Sequence, residues 1–361
     1  MAVEIDGSIL EGGGQILRSA VALSALLLKP VVVKRIRVKR EKPGLQQQHL
    51  HGVIALQQIT DADVKGAHVG STEIAFSPQN RRGGEIDIDI GTAGAVTLVL
   101  QAVMIAAPFC EHPVVARISG GTNVAWSPPV DYLQSVFLPR LAQMGYSGAV
   151  QLERRGYYPR GGGRVRAEFS RMSHLSPVKL VRAETVPQIA GKSHCGALER
   201  HVAERQGKAA TETLNDAGYQ SVRMEIEHNP KTLCPGSGIS LWTEGEDNRL
   251  VGADALGERR VRAETVGQQA AQTLIQELKT QAPVDRHQAD MLIPYVAIAR
   301  GESSFPVSEI TLHAVTNIHV VEQFLEAKFA VKGKAGSPGS IEVKGVGLEG
   351  LSASAGLPSR S

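Results

Sequence analysis

The chain has 361 residues, of which 42% are hydrophobic and only 4% aromatic, with a net charge of +3. That length allows two domains, or one large domain carrying an insertion, and aliphatic side chains must fill the core. Cys110, Cys195 and Cys234 are widely spaced, which excludes a disulfide framework or a cysteine zinc site and fits a reducing, cytoplasmic compartment.

The chain opens with a strand at Val3 to Asp6, a glycine-rich turn and a helix from about Gln15. Residues 17–28 are the most apolar N-terminal run, too short to span a bilayer and closed by Lys29-Pro30. They are expected to form a core helix rather than a signal peptide, and no membrane partner is expected. Residues 34–42, KRIRVKREK, hold six cations against one anion. Their alternation predicts a strand with one basic face, suited either to phosphate contact or to a solvated sheet edge. A second strand–glycine–helix unit follows in EIDIDIGTAGAVTLVLQAVMIAA, and a third in ARISGGTNVAWSPPVDYLQSVFLPRLAQMG. Three such units suggest a repeated α/β module. Arg154, Arg155, Arg160, Arg164 and Arg166 form a second basic cluster.

The pattern changes near residue 180. KLVRAETV, SVRMEIEH and GISLWTEG read as strands, and LERHVAERQGKAATETLNDAG and VRAETVGQQAAQTLIQELKT as amphipathic helices. This segment of about 100 residues looks like an inserted domain. The pattern of the N-terminal half resumes near Pro283 with MLIPYVAIA as an apolar helix, and the Gly- and Ser-rich tail offers one more strand, SIEVKGV, before fraying.

Several motifs fail. AGKS at 190–193 lacks the glycine expected five positions before Gly191, where Val186 stands. GVGLEG at 345–350 fits GxGxxG, but the 11 residues after it are too few for a helix and a ribose-binding acid. In EIDG, Glu4 stands where a nucleotidyl-transferase lysine would be. Nucleotide chemistry therefore needs another nucleophile, and histidine is suited because its neutral ring can form a phosphoramidate. Of 11 histidines, His313 alternates with Thr311 and Val315 as if at the end of a strand, with Thr316-Asn317 placed to cap a following helix.

IDGSILEGGGQILRSAVALSALL, KREKPGLQQQHLHGV, GTAGAVTLVLQAV, GGTNVAWSPPVDY, RRGYYPRGGGRV and ITLHAVTNIHVVEQFL, in this order, resemble the RNA 3'-terminal phosphate cyclase family over residues 4–330. The resemblance implies a mixed α/β (α+β) fold: a large domain of three repeated βαβαββ-type modules with a smaller α/β domain inserted. The large catalytic domain is expected at 1–181 plus 281–340, the insert at 182–280, and a C-terminal strand and tail at 341–361. It also implies that ATP adenylylates a histidine, that AMP passes to an RNA 3'-phosphate, and that the 2'-OH closes a 2',3'-cyclic phosphate.

By position, the resemblance makes His313 the nucleophile and His319, on the following helix, structural. It places Glu11 near a metal, either Mg²⁺ or Mn²⁺, that bridges ATP phosphates. Gln15, Arg18, Arg37, Arg40, Gln48 and His49 match a polar cluster for substrate and phosphate, and arginine forks suit phosphate oxygens. Gln101 falls on a nucleotide-contacting helix, and His287, Gln288, Ala289, Asp290 and Met291 lie along the ATP pocket. Asp290 fits the family pattern there, whereas His287 and Met291 depart from it, as does Lys39 in the basic segment. The expected partner is an RNA 3'-phosphate end; a monomer and a homodimer are both compatible with the sequence. A non-catalytic cyclase-like RNA-binding protein would lack His313, and an enolpyruvyl-type transferase would need no histidine adduct.

Overall fold

A computed structural model of the chain describes residues 1–183, 188–245 and 249–350. Three sheets share one connectivity. In the first module, β1 (Val3–Asp6), α1 (Gly14–Leu27), β2 (Val31–Lys34), α2 (Gln47–Thr60), β3 (Asp63–Lys65) and β4 (Ile74–Ser77) form a sheet of order β1-β2-β4-β3. The second repeats it. β5 (Gly84–Asp89), α3 (Val96–Ala106), β6 (Val114–Gly120), a helix over 130–143, β7 (Gly148–Arg154) and β8 (Gly163–Phe169) give the order β5-β6-β8-β7. That helix runs as α4 (Val130–Tyr132), a π segment at Leu133–Phe137 and α5 (Leu138–Gln143). Pro139 has no N–H to continue the ladder, so the turn before it widens.

Next come β9 (Gln188–Gly196), α6 (His201–Asp216), β10 (Val222–Asn229), β11 (Gly236–Glu244), β12 (Gly252–Leu256) and α7 (Ala263–Lys279). Their sheet has order β10-β9-β11-β12, with its own apolar core of Ile189, Leu214, Leu241, Val266 and Leu274 among others. The third module closes the chain with α8 (Arg286–Ile298), β13 (Arg300–Val307), α9 (Leu312–Phe324), β14 (Phe329–Lys332) and β15 (Gly339–Val346), in order β13-β15-β14. Its first strand is split by the intervening unit. Lys179 pairs parallel with Ser304 in the middle of β13, and Val284 pairs parallel with Val307 at its C-terminal end. The large core draws on all three modules, from Ile5 to Val343. The fold is mixed α/β, three βαβαββ-type modules with a fourth sheet inserted in the third.

Three local expectations are corrected. The basic segment is not a strand. β2 stops at Lys34, and Arg35 and Arg37 adopt φ of 55° and 54°, in the left-handed region. Side-chain bonds outweigh the alternation: Arg37 donates to the carbonyls of Lys42 (2.7 Å) and Gly44 (2.9 Å), Arg35 pairs with Asp6, and Ile36 is buried. His313 is not on a strand either. Thr311 caps α9, its hydroxyl accepting from the Ala314 N–H at 2.9 Å, so Ile310 makes a single bridge and the helix starts at Leu312. Thr316 and Asn317 therefore lie inside this helix rather than ahead of the next one. KLVRAETV supplies only the Lys179 bridge before Ala183, and residues 184–187 lie outside the described residues. AGKS sits within β9. SIEVKGV lies in β15, the central strand of its sheet, while 351–361 is outside the described residues. Among the described residues, no helix is long and apolar enough to cross a membrane.

Candidate active site

The turn 11–14 leads into α1 and rests on the first turns of α9, where the Glu11 N–H donates to the Thr316 hydroxyl at 3.3 Å. This brings Glu11 to His313 across the chain: the carboxylate lies 3.9 Å from Nδ1. Glu11 is otherwise engaged, with one oxygen ion-paired to Arg40 and the other accepting from the Gly13 N–H at 2.7 Å. The His313 side chain is 49% exposed. Partial burial, then the charges of Arg18 and Arg40, hold its pKa below the usual histidine value, so the ring is neutral near pH 7. His319, on the same helix, is exposed.

Arg18 is half-buried inside apolar α1. Burial lowers its pKa to about 10 against the pull of Asp290, so it stays charged, and it donates to Gln15. His49 is the neutral counterpart: burial, helped by Arg37 and Arg18, drives its pKa down to about 3. Its Nδ1 accepts from the Gln46 N–H at 3.1 Å, which leaves the proton on Nε2. Nε2 faces the start of α1, where a first side-chain carbon on Gly14 would stand 2.1 Å away, so that approach needs glycine. Gln48 accepts from the N–H of Ala95, the cap of α3, at 3.2 Å. Arg37 and Arg40 are thus committed to the loop and to Glu11, while Arg18, Gln48 and His49 line one cleft.

That cleft is a shallow one between α1 and α2, against Val53, Leu56 and Leu98. A second shallow cleft also touches Arg18 and is lined by Gln15, Gln101, Met291, Tyr295 and Asn317 among others. Its polar groups are under-satisfied. The amide of Gln101, on a buried and mostly apolar helix, donates to the Met291 thioether at 3.6 Å, a weak acceptor. The Tyr295 hydroxyl and the Asn317 carbonyl oxygen are buried without a hydrogen-bond partner. Each orphaned group costs about 1–3 kcal/mol, so two of them beside the weakly bonded Gln101 amide suit a polar ligand.

Asp290 couples this wall to His313. Burial pushes its pKa up to about 7, the Thr311 hydroxyl donates to it, and Asn317 donates to its backbone carbonyl at 2.8 Å. Since the Thr311 oxygen also caps α9, one hydroxyl fixes both the acid and the start of the histidine's helix. His287 is exposed and edge-on to Tyr132 at 6.4 Å. Gln288 and Ala289 face the core; Gln288 accepts from Arg140 at 3.0 Å and donates to the Leu250 carbonyl at 3.0 Å. Asp285, which caps α8, accepts from Tyr132 (2.7 Å), His287 N–H (2.9 Å), Gln288 N–H (2.8 Å) and Gly252 N–H (3.0 Å). Asp285, Tyr132 and Tyr295 have no expected site role in the sequence; Thr311 and Asn317 stand out there only as a neighbour of His313 and a helix cap, and the structure gives them instead to Asp290.

No group of three or more His, Cys, Asp or Glu among the described residues could hold a metal ion. Glu11 is the one expected metal ligand, and Arg40 and the Gly13 N–H already share it. The donor set therefore suits a cation held mainly by a ligand's phosphates.

A neutral histidine at a helix start, with arginines and two shallow clefts nearby, has the chemistry to meet a phosphorylated substrate. The sequence matches the family description "RTC: RNA 3'-terminal phosphate cyclase" over residues 9–331. Proteins named RNA 3'-terminal phosphate cyclase are similar nearly end to end. Those of Methanopyrus kandleri and Desulfurococcus amylolyticus are 48% identical over 346 residues and 49% over 353, covering 95% and 96% of this chain and 98% and 99% of theirs. That of Thermococcus kodakarensis is 48% identical over 341 residues, covering 94% of this chain and 98% of its own. The chain belongs to this family of enzymes.

Proposed function

We propose that the protein uses ATP to convert an RNA 3'-terminal phosphate into a 2',3'-cyclic phosphate, with His313 as the nucleophile. The observation that carries the assignment is the neutral, accessible His313 ring facing Glu11 and next to Arg18 and Arg40. Glu11 on the Nδ1 side favours the tautomer protonated there, leaving the Nε2 lone pair free. Nε2 attacks the α-phosphorus of ATP; an N–P bond forms, the α–β P–O bond breaks, and pyrophosphate leaves. An oxygen of the RNA 3'-phosphate then attacks that phosphorus, forming P–O–P and breaking P–N. The vicinal 2'-hydroxyl attacks the 3'-phosphorus, loses its proton, and AMP departs. In phosphoryl chemistry of this kind the protein chiefly positions and neutralises charge.

The cleft of Gln101, Met291, Tyr295 and Asn317, with Asp290 behind its wall, takes the nucleotide. The cleft of Arg18, Gln48 and His49 takes the RNA end, with His49 Nε2–H and the Arg18 guanidinium donating to phosphate oxygens. A divalent cation on the triphosphate, with Glu11 its protein ligand, supplies charge neutralisation when bound. Residues 182–280 act as a separate unit on this catalytic body, and the three free, buried cysteines support a reducing, cytoplasmic setting.

Incubation with α-labelled ATP and Mg²⁺ or Mn²⁺ tests the reading. The protein retains acid-labile label on a denaturing gel, and His313→Ala abolishes it while unfolding at the same temperature. Undiminished label on folded His313→Ala refutes the assignment.

A further inference from the structure

Aromatic rings are scarce in this chain, and among the described residues all but two are buried or half-buried. The exceptions are Trp126, 96% exposed, and Tyr158, 77% exposed. They stand on neighbouring loops. The Trp126 loop follows β6 and is anchored by Val124, which packs on Ala93, Ala95 and Leu98. The Tyr158 loop joins β7 to β8 and rests on the same 91–94 turn, so tightly that a side chain at Gly161 would stand 2.5 Å from the Thr92 carbonyl oxygen.

This surface is continuous with the site. The 91–94 turn abuts Gln48, whose Cβ would lie 3.5 Å from a side-chain carbon on Gly94. A floor of small residues therefore leads from Gln48 and His49 to the two rings. The rings are held out deliberately: Trp126 has φ of 66°, a strained conformation for a bulky residue, and its burial returns nothing for that strain. Tyr157, next to Tyr158, is buried and bonded to His194 at 2.9 Å, which fixes the loop's root. Arg154, the last residue of β7, and Arg160, on the loop, are exposed and make no ion pair among the described residues. The Arg154 Nε–H donates to the Gly162 carbonyl at 2.6 Å and so stays over the loop.

We propose that this shelf binds the nucleotides just upstream of the RNA 3' end, Trp126 and Tyr158 stacking on bases while Arg154 and Arg160 hold backbone phosphates. The proposal rests on reading the chain as an RNA-end cyclase. Separated rings interleaved with unpaired cations suit single-stranded nucleic acid, because every base has a π face and every linkage a negative charge. A protein partner would call for contiguous apolar area instead.

The test compares a 3'-phosphorylated oligonucleotide with a nucleoside 3'-phosphate, which has no upstream base. Trp126→Ala and Tyr158→Ala each raise KM for the oligonucleotide about tenfold, the scale of one lost base stack. They leave kcat, self-labelling by ATP and turnover of the nucleoside 3'-phosphate unchanged, and Trp126→Phe restores most of the affinity. Arg160→Ala lowers the salt dependence of oligonucleotide binding. An unchanged oligonucleotide KM overturns the shelf, as does equal damage to the nucleoside 3'-phosphate and to self-labelling. Should wild-type protein cyclise neither substrate, the parent reading fails. The shelf is then decided by fluorescence anisotropy with a labelled single-stranded oligonucleotide: about tenfold weaker binding by Trp126→Ala supports it, and equal binding overturns it.

Discussion

Asp290 gives the sharpest quantitative expectation. Burial raises its pKa from 3.8 to about 7, with the Thr311 hydrogen bond and His287 pulling the other way. The folded state thus holds this proton more tightly than the unfolded chain. Its contribution to unfolding free energy is constant below about pH 4, falls as pH rises towards 7, and is constant again above. A shift of about three units corresponds to about 4 kcal/mol lost across that window, an upper bound because Arg18 attracts the ionised carboxylate. Asp290→Asn keeps the shape and still accepts from Thr311, but carries no titrating charge. Urea unfolding should show variant and wild type close at pH 4 and the variant more stable at pH 8, by up to ~4 kcal/mol. A variant equally or less stable than wild type at pH 8 refutes the argument that this acid sits in its site at the expense of stability.

The Thr311 hydroxyl serves both Asp290 and the α9 cap, so Thr311→Ala should cost about 1–2 kcal/mol and slow self-labelling by ATP, with Thr311→Ser restoring both; a normal labelling rate in Thr311→Ala would show that the cap does not aim His313. Arg155 is buried between Asp131 (2.7 Å) and Glu227 (2.8 Å), tying the body to β10 of the inserted unit. Removing it in Arg155→Ala should cost about 3–5 kcal/mol. Against the opposing effect of burial, Arg155 holds the Asp131 carboxyl well below its ordinary value. Wild type therefore loses this stabilisation as pH drops below about 4, and the variant should show a shallower acid limb in thermal unfolding. Burial pushes the Cys110 thiol up to about 12, so iodoacetamide at pH 8 should spare it in folded protein and modify it after unfolding.

The elements legible in the sequence are those whose local pattern agrees with their tertiary setting. α6 and α7 each bury one stripe and expose the other, and the strand–glycine–helix units announce α1 and α3 at their turns. The misread elements are those where side-chain bonds override periodicity. ITLHAVT alternates like a strand, yet the Thr311 cap and the packing of Ala314 and Asn317 against α8 make it a helix. KRIRVKREK alternates too, but Arg37 spends its guanidinium on two carbonyls of its own loop. Pairings such as Glu11 with His313, or Asp290 with Thr311, join distant residues and leave no local trace. The resemblance placed Glu11, Arg18, His49 and His313 in one site; the under-satisfied Tyr295 and Asn317 became visible only in three dimensions.

Arg18 forms part of the wall of both clefts. A single guanidinium carries one positive charge, enough to neutralise one monoanion or half of a dianion, so an anion arriving in either chamber lowers the attraction available to its neighbour. On the function proposed above, nucleotide and RNA end would draw on the same positive charge from the two clefts, and departure of pyrophosphate would free it for the 3'-phosphate.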